Sequence, residues 1–334
     1  MSRSRRLHSA VTAAGGLAVV AVIAAAQSAT AQSGAPGAPA ALARSAVTRP
    51  AGGSAPDGSS TRGRASASRQ GPGYVDAYAA ELANAATEKQ LWGRRQYSAR
   101  PMASITKVMT ALVVLRAGHL DRPITITAKD EAYLGCCIQG AGLYVGDVLT
   151  ARQLLYAMLL PSGADAAAAL AGSYGPGWPA FIKKMNATAR TLNLVKTHFT
   201  GFDGVDPKTV STPRNLLLLG EAAMKYAAFR DVVTSKSHVI VASSRNHRYY
   251  WPNTNLLLGQ YPGAIGIKTG WTPAAGECLL FAAVHDKKTL IGVVLDSAAA
   301  KTGQIFIDAT RMLNWGFGLH VPLPAHQPGQ LPKE

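Results

Sequence analysis

The hydrophobic period of this chain changes twice, and that change limits the folds open to it. Tyr78–Asn84 and Gln90–Arg94 read as short strands. A block of helices follows. Ile105, Val108, Met109 and Leu112 recur three or four residues apart, the spacing of a core-facing helix. Thr150 with Gln153 makes a capping-box pattern before ARQLLYAMLL, which is apolar nearly all round. Pro161 ends that run, and PSGADAAAALAG predicts a short alanine-rich helix. Another helix is expected near Pro179–Leu192, and a further one capped by Ser211 or Thr212 with Pro213 in its first turn. The period then changes again. Ala264–Lys268 alternates and reads as a strand, Glu277–Val284 and Thr289–Leu295 flank HDKK as a hairpin, and a last helix covers about Thr302–Trp315. Strands at both ends of a helical block point to an α+β fold, an antiparallel sheet flanked by helices with a helical subdomain inserted.

The ends of the 334-residue chain are of a different kind. Arg3, Arg5 and Arg6 precede an uncharged stretch from Leu7 to Ala26, and Ala29-Thr30-Ala31 fits a small-residue cleavage site. Residues 1–31 therefore read as a secretory signal, with an uncleaved membrane anchor as the competing reading. Residues 32–72 are rich in Ala, Gly, Ser and Pro and carry five arginines, a composition that builds a flexible basic linker and no core. Residues 322–334 form a short Pro-rich tail. The formal net charge is +16, about half of it on the domain between linker and tail. In an exported protein this excess suits an anionic cell-wall polymer or plain solubility, and the export signal disfavours a nucleic-acid partner. Cys136, Cys137 and Cys278 are an odd count; adjacent cysteines bridge poorly, so Cys278 with either of the others is the expected pair. No CxxC or HxxxH spacing accompanies them, so no metal is expected.

Three short motifs carry chemistry. In PMASITKVMTAL, Ser104 and Lys107 stand one helical turn apart inside an apolar segment. A charged amine is costly to bury, and a neutral amine beside a hydroxyl is a base beside a nucleophile. An SxxK match alone is weak, because one arises roughly once by chance in a chain of this length. Ser162 in PSGADAA has two readings: a second polar group of a site, or a helix N-cap with Asp165 three residues on. GIKTG ends the alternating strand with Lys268, Thr269 and Gly270, a basic residue and a hydroxyl beside a glycine that admits close approach. A second KTG at Lys301–Gly303 opens a helix instead, so the first is preferred.

Taken together, SITK, PSGADAA and YPGAIGIKTGWTPAAGECL, with the flanks NTNLLLGQYPG and NWGF, resemble the serine D-alanyl-D-alanine carboxypeptidases, the low-molecular-mass penicillin-binding proteins of the bacterial cell wall. The resemblance covers roughly residues 75–318, within a catalytic domain expected over 73–321. It implies a fold like that of the serine β-lactamases. It also implies a serine hydrolase on the outer side of the cytoplasmic membrane that removes the terminal D-Ala of peptidoglycan stem peptides, is acylated by β-lactam antibiotics, and uses no cofactor. By the same resemblance Ser104 is the nucleophile, Lys107 its base and Ser162 a proton relay. Lys268 and Thr269 hold the substrate carboxylate next to Gly270, and the N–H groups of Ser104 and Trp271 form the oxyanion hole.

Two departures stand out. The family usually carries Asn where this chain has Ala164, and often an arginine between the last hairpin and last helix, where this chain offers Lys301 and, deeper in the helix, Arg311. Ala164 favours a second reading, a catalytically weak wall-binding protein that keeps the fold. A β-lactamase is the third, and it needs an extra carboxylate to activate water; Glu221 is the sole glutamate between Ser162 and Lys268.

Overall fold

The computed structural model describes residues 71–135, 138–297 and 303–325. The expected signal and nearly all of the expected linker lie outside the described residues, as do the end of the chain, Cys136, Cys137 and Lys301. Strand β1 (Ala79–Asn84) turns back into β2 (Gln90–Arg94), and β3 (Arg100–Pro101) leads into a 3-10 turn, Ala103–Thr106. Helix α1 (Lys107–Ala117) begins only at the lysine. The apolar spacing predicted one helix through Ser104, but the chain tightens there first.

A short strand β4 (Pro123–Thr125) and helix α2 (Ala128–Ala132) precede β5 (Val148–Thr150) and α3 (Ala151–Leu159). The Thr150 hydroxyl accepts from the Gln153 N–H, and the Gln153 side chain accepts from the Thr150 N–H at 2.8 Å, so the predicted box is formed. Helix α4 (Ala164–Tyr174) follows, then α5 (Trp178–Thr191), β6 (Val210–Ser211), α6 (Pro213–Met224) and α7 (Ala227–Thr234). Thr212 caps α6 by accepting from Asn215 N–H at 3.2 Å. Strands β7 (Ser237–Ile240) and β8 (Tyr249–Pro252) make a separate hairpin before α8 (Leu257–Gln260). The chain closes with β9 (Ala264–Thr272), β10 (Gly276–His285), β11 (Lys288–Ser297) and α9 (Gln304–Phe317).

The main sheet has the order β2-β1-β11-β10-β9, antiparallel throughout. Its two faces bury separate cores. Along β10, Leu279, Phe281 and Ala283 pack with Ile305, Phe306, Ala309 and Met312 of α9, while Cys278, Leu280 and Ala282 join the core built by the helical block. This two-sided burial follows from the period-2 geometry of a strand and explains why β10 reads as a continuous apolar run. The predicted α+β class holds, with α9 on one face and α6 on the other.

Two local expectations change. Ser162 is not a helix cap: Gly163 takes the N-cap position, and Ser162 has φ +72°. Cys278 is a free, buried thiol and not half of a disulfide; its Sγ donates to the carbonyls of Ala275 and Gly276 at 3.5 and 3.7 Å. It sits inside β10 facing the helical core, where burial pushes it up to about 12 and keeps it protonated.

Candidate active site

The nucleophile candidate stands on a tight turn. Ala103 has φ +46°, and the 3-10 turn places Ser104 against the start of α1. One turn on, Lys107 reaches back, and its Nζ donates to Ser104 Oγ at 2.7 Å. Both side chains are only 2 % exposed. The local sequence suffices for this contact, because residues three apart share a helix face.

The rest of the cleft is assembled over long range. After α3 the Gly163 N–H turns back to donate to Ala157 C=O at 3.2 Å, and Ser162 takes its left-handed backbone between the two helices. That conformation costs a residue with a side chain on the order of 1 kcal/mol, and here it aims Ser162 Oγ at Lys107 Nζ, 3.5 Å away. The loop after α5 adds the Asp203 carbonyl, which accepts from Lys107 Nζ at 3.2 Å. The next residue, Gly204, has φ +94°, and a Cβ there would overlap the Ala103 carbonyl. Only glycine lets this loop reach the nucleophile turn.

Strand β9 is an edge of the main sheet and closes the other side. A Cβ on Gly270 would lie 2.8 Å from Ser104 N and 3.1 Å from Met102 O, so the strand backbone packs directly on the Ser104 turn. Lys268 and Thr269 are buried beside it, and half-buried Trp271 pairs with Glu277 across β10. Thr269 Oγ1 shares a 2.6 Å hydrogen bond with Thr254 Oγ1, and Thr254 N–H donates to Leu160 C=O at 3.1 Å, next to Pro161-Ser162. The three motif segments therefore form a ring: Ser104 meets Gly270, Thr269 is tied through Thr254 to the α3–α4 turn, and Ser162 returns to Lys107.

Ala164 is fully buried as the first residue of α4, and its N–H donates to Gln139 C=O at 2.9 Å. Asp165 anchors the same loop by accepting from the N–H groups of Ala141 and Leu143 at 2.8 and 3.2 Å. Arg311 is occupied elsewhere, donating to the Tyr74 carbonyl at 3.1 Å. Glu221 lies in a cavity lined by Glu88, Met224, Ala282 and Ile291, away from the Ser104 turn. Sequence reasoning missed Asp203, Gly204 and Thr254. The only local trace of the first two is the turn-forming pattern Gly201-Phe202-Asp203-Gly204.

The antiparallel sheet thus packs its edge strand on a buried Ser–Lys pair. The chain belongs to the D-alanyl-D-alanine carboxypeptidase family, whose model matches residues 65–299. It is 42 % identical to the D-alanyl-D-alanine carboxypeptidase of Streptomyces sp. strain K15, over 71 % of this chain and 85 % of that protein. It is 36 % identical to the carboxypeptidase DacB2 of Mycobacterium tuberculosis, over 69 % of this chain and 78 % of that one. The crystal structure of the Streptomyces K15 DD-transpeptidase superposes with a TM-score of 0.69 at 40 % identity, covering 74 % of this chain and 98 % of that chain.

Proposed function

We propose that this protein hydrolyses the terminal D-Ala–D-Ala bond of peptidoglycan stem peptides through an acyl-enzyme on Ser104, outside the cytoplasmic membrane. The observation that carries the reading is the ring of contacts joining Ser104, Lys107, Ser162 and the 268–270 strand. Ser104 Oγ attacks the scissile carbonyl while its proton passes to the Lys107 amine. That amine keeps two N–H groups for the Asp203 carbonyl and Ser162 Oγ, the two other oxygens beside it at 3.2 and 3.5 Å. Ser162 then relays a proton to the leaving amine of D-Ala. The Ser104 and Trp271 N–H groups stabilise the oxyanion, a charge that appears only in the tetrahedral state. Gly270 makes this possible by holding the strand at the Ser104 backbone without a side chain between them. Lys268 and Thr269 bind the terminal carboxylate. Water finally attacks the acyl-serine and regenerates the hydroxyl.

A β-lactam presents a strained acyl donor to the same nucleophile, so a long-lived penicillin adduct on Ser104 is part of the proposal. The test is D-Ala release from a soluble diacyl-D-Ala-D-Ala peptide, together with mass spectrometry after penicillin exposure. Release of D-Ala and an adduct at Ser104, both lost in Ser104→Ala, are expected. Folded protein that neither releases D-Ala nor takes up penicillin overturns the reading and leaves wall binding in its place.

A further inference from the structure

The hairpin β7–β8 and the loop before β5 make a second surface beside the cleft. The sequence holds no Asp or Glu from residue 232 to 276, yet Lys236, Arg245 and Arg248 fall there. A shallow cleft of about 490 Å³ opens between residues 146–148 and the hairpin tip, lined by Asp147, Arg245, His247 and Arg248. On its rim the Tyr144 ring stacks on His247, with centroids 4.1 Å apart, and Tyr144 remains 54 % exposed. An exposed aromatic ring held face to face with an imidazole is an unusual thing to leave in water unless something covers it.

The stack is built, not incidental. The Asp147 carboxylate is itself buried, accepts from His247 N–H at 2.8 Å, and pairs with His247 Nδ1 and the Tyr249 hydroxyl. The carboxylate is held ionised by these hydrogen bonds, and the two guanidinium groups outnumber it, so the cleft keeps a net positive charge. Tyr249 also accepts the Tyr144 N–H at 3.1 Å, and Val148 N–H donates to Arg245 C=O at 2.8 Å. This surface connects to the candidate site by short covalent and hydrogen-bonded steps. Trp251 Nε1 donates to Ala141 C=O at 2.9 Å, and Ala141 and Leu143 hang on Asp165, three residues from Ser162.

We propose that this cleft binds the peptidoglycan strand that carries the stem peptide, with a sugar ring covering Tyr144 and stem-peptide carboxylates on Arg245 and Arg248. Sugar rings present C–H faces that pack on aromatic rings, and guanidinium groups match carboxylates in a fork geometry. One polymer offers both chemistries, and it is the polymer the cleft must handle. The inference rests on the function proposed above, and it assigns the protein a means of holding polymer in addition to the reacting peptide.

The test separates binding from turnover. In a Ser104→Ala background, co-sedimentation is measured with insoluble peptidoglycan stripped of phosphate polymers by acid. Tyr144→Ala and the pair Arg245→Gln with Arg248→Gln are each expected to weaken binding by about fivefold or more, and Tyr144→Trp to retain it. The tip arginines are exposed, so the paired variant stays informative if Tyr144→Ala fails to fold. In the active enzyme, the ratio of D-Ala release from polymer to release from soluble peptide should fall with the same variants. Unchanged sedimentation in both variants overturns the proposal. So does binding only to walls that retain their phosphate polymer. Activity absent on both substrates strikes the catalytic reading alone, because sedimentation is read without catalysis.

Discussion

Two regions of the molecule bury ionisable side chains, and they are treated differently. In the cleft, Lys107 meets three oxygens, those of Ser104, Asp203 and Ser162, between 2.7 and 3.5 Å. Between β1 and α6, Glu81 is fully buried with one partner, Arg214 at 3.3 Å, and its Oε2 has no partner among the described residues. Half-buried Glu221, two turns along α6 from Arg214, also leaves its Oε1 without a partner among the described residues. Burial pushes Glu81 up to about 7 despite Arg214, and burial with the charge of Glu88 pushes Glu221 to about the same value. A buried amine with several oxygen neighbours is held in one geometry and is useful for chemistry. Buried carboxylates with too few partners take up protons instead and make stability depend on pH.

The strongest way to break this contrast is to remove the partnered pair. Ser104→Ala and Lys107→Met should each lower D-Ala release at least ~1,000-fold, with penicillin labelling abolished in the first. Thermal unfolding of Lys107→Met should show stability unchanged or raised, since a buried polar amine has been replaced by an apolar chain of similar length. Near-normal turnover in that variant would mean the amine is structural. Ser162→Ala should cost about 100-fold in turnover, in keeping with loss of a proton relay, and little in stability. Gly270→Ala forces a Cβ to 2.8 Å from Ser104 N and should reduce kcat/KM by roughly ten- to a hundredfold by displacing the oxyanion geometry.

The smallest effect concerns the other region. Glu221 has a folded-state value of about 7 against 4.5 when unperturbed, so the folded protein binds its proton more tightly. The associated stability is complete below 4.5 and is lost as pH rises through about 7. Glu221→Gln should therefore match the parent near pH 4 and exceed it by about 1 kcal/mol near pH 8, after discounting for partial exposure. Denaturant titration at the two pH values checks the sign; an equal gain at both would show that packing, not proton uptake, governs the region.

Much of the fold was legible because its signals are local. The Thr150 box, the Thr212 cap and the β10–β11 hairpin each depend on residues a few positions apart, and each forms as read. The contexts of the two KTG runs were legible too: Lys268–Gly270 lies within β9, while Gly303 sits at the N-terminus of α9. The 3-10 turn at Ser104 was not, because the pressure to tighten comes from Gly204 and Gly270 packing on it from distant segments. Ser162 kept two readings in the sequence for the same reason. Its sequence fits a cap, but the crowded α3–α4 turn moves the cap to Gly163 and turns the hydroxyl toward Lys107.

By itself the sequence determined the Ser104–Lys107 contact, the two-sided burial of β10 and the class of fold, since each follows from the repeat of a helix or strand. Tertiary structure alone decided which other oxygens surround the amine, that β9 lies against Ser104, and that the Tyr144 ring stacks on His247. Those choices depend on close approach between segments tens of residues apart, where a missing Cβ or one left-handed residue sets the distance and no local pattern records it.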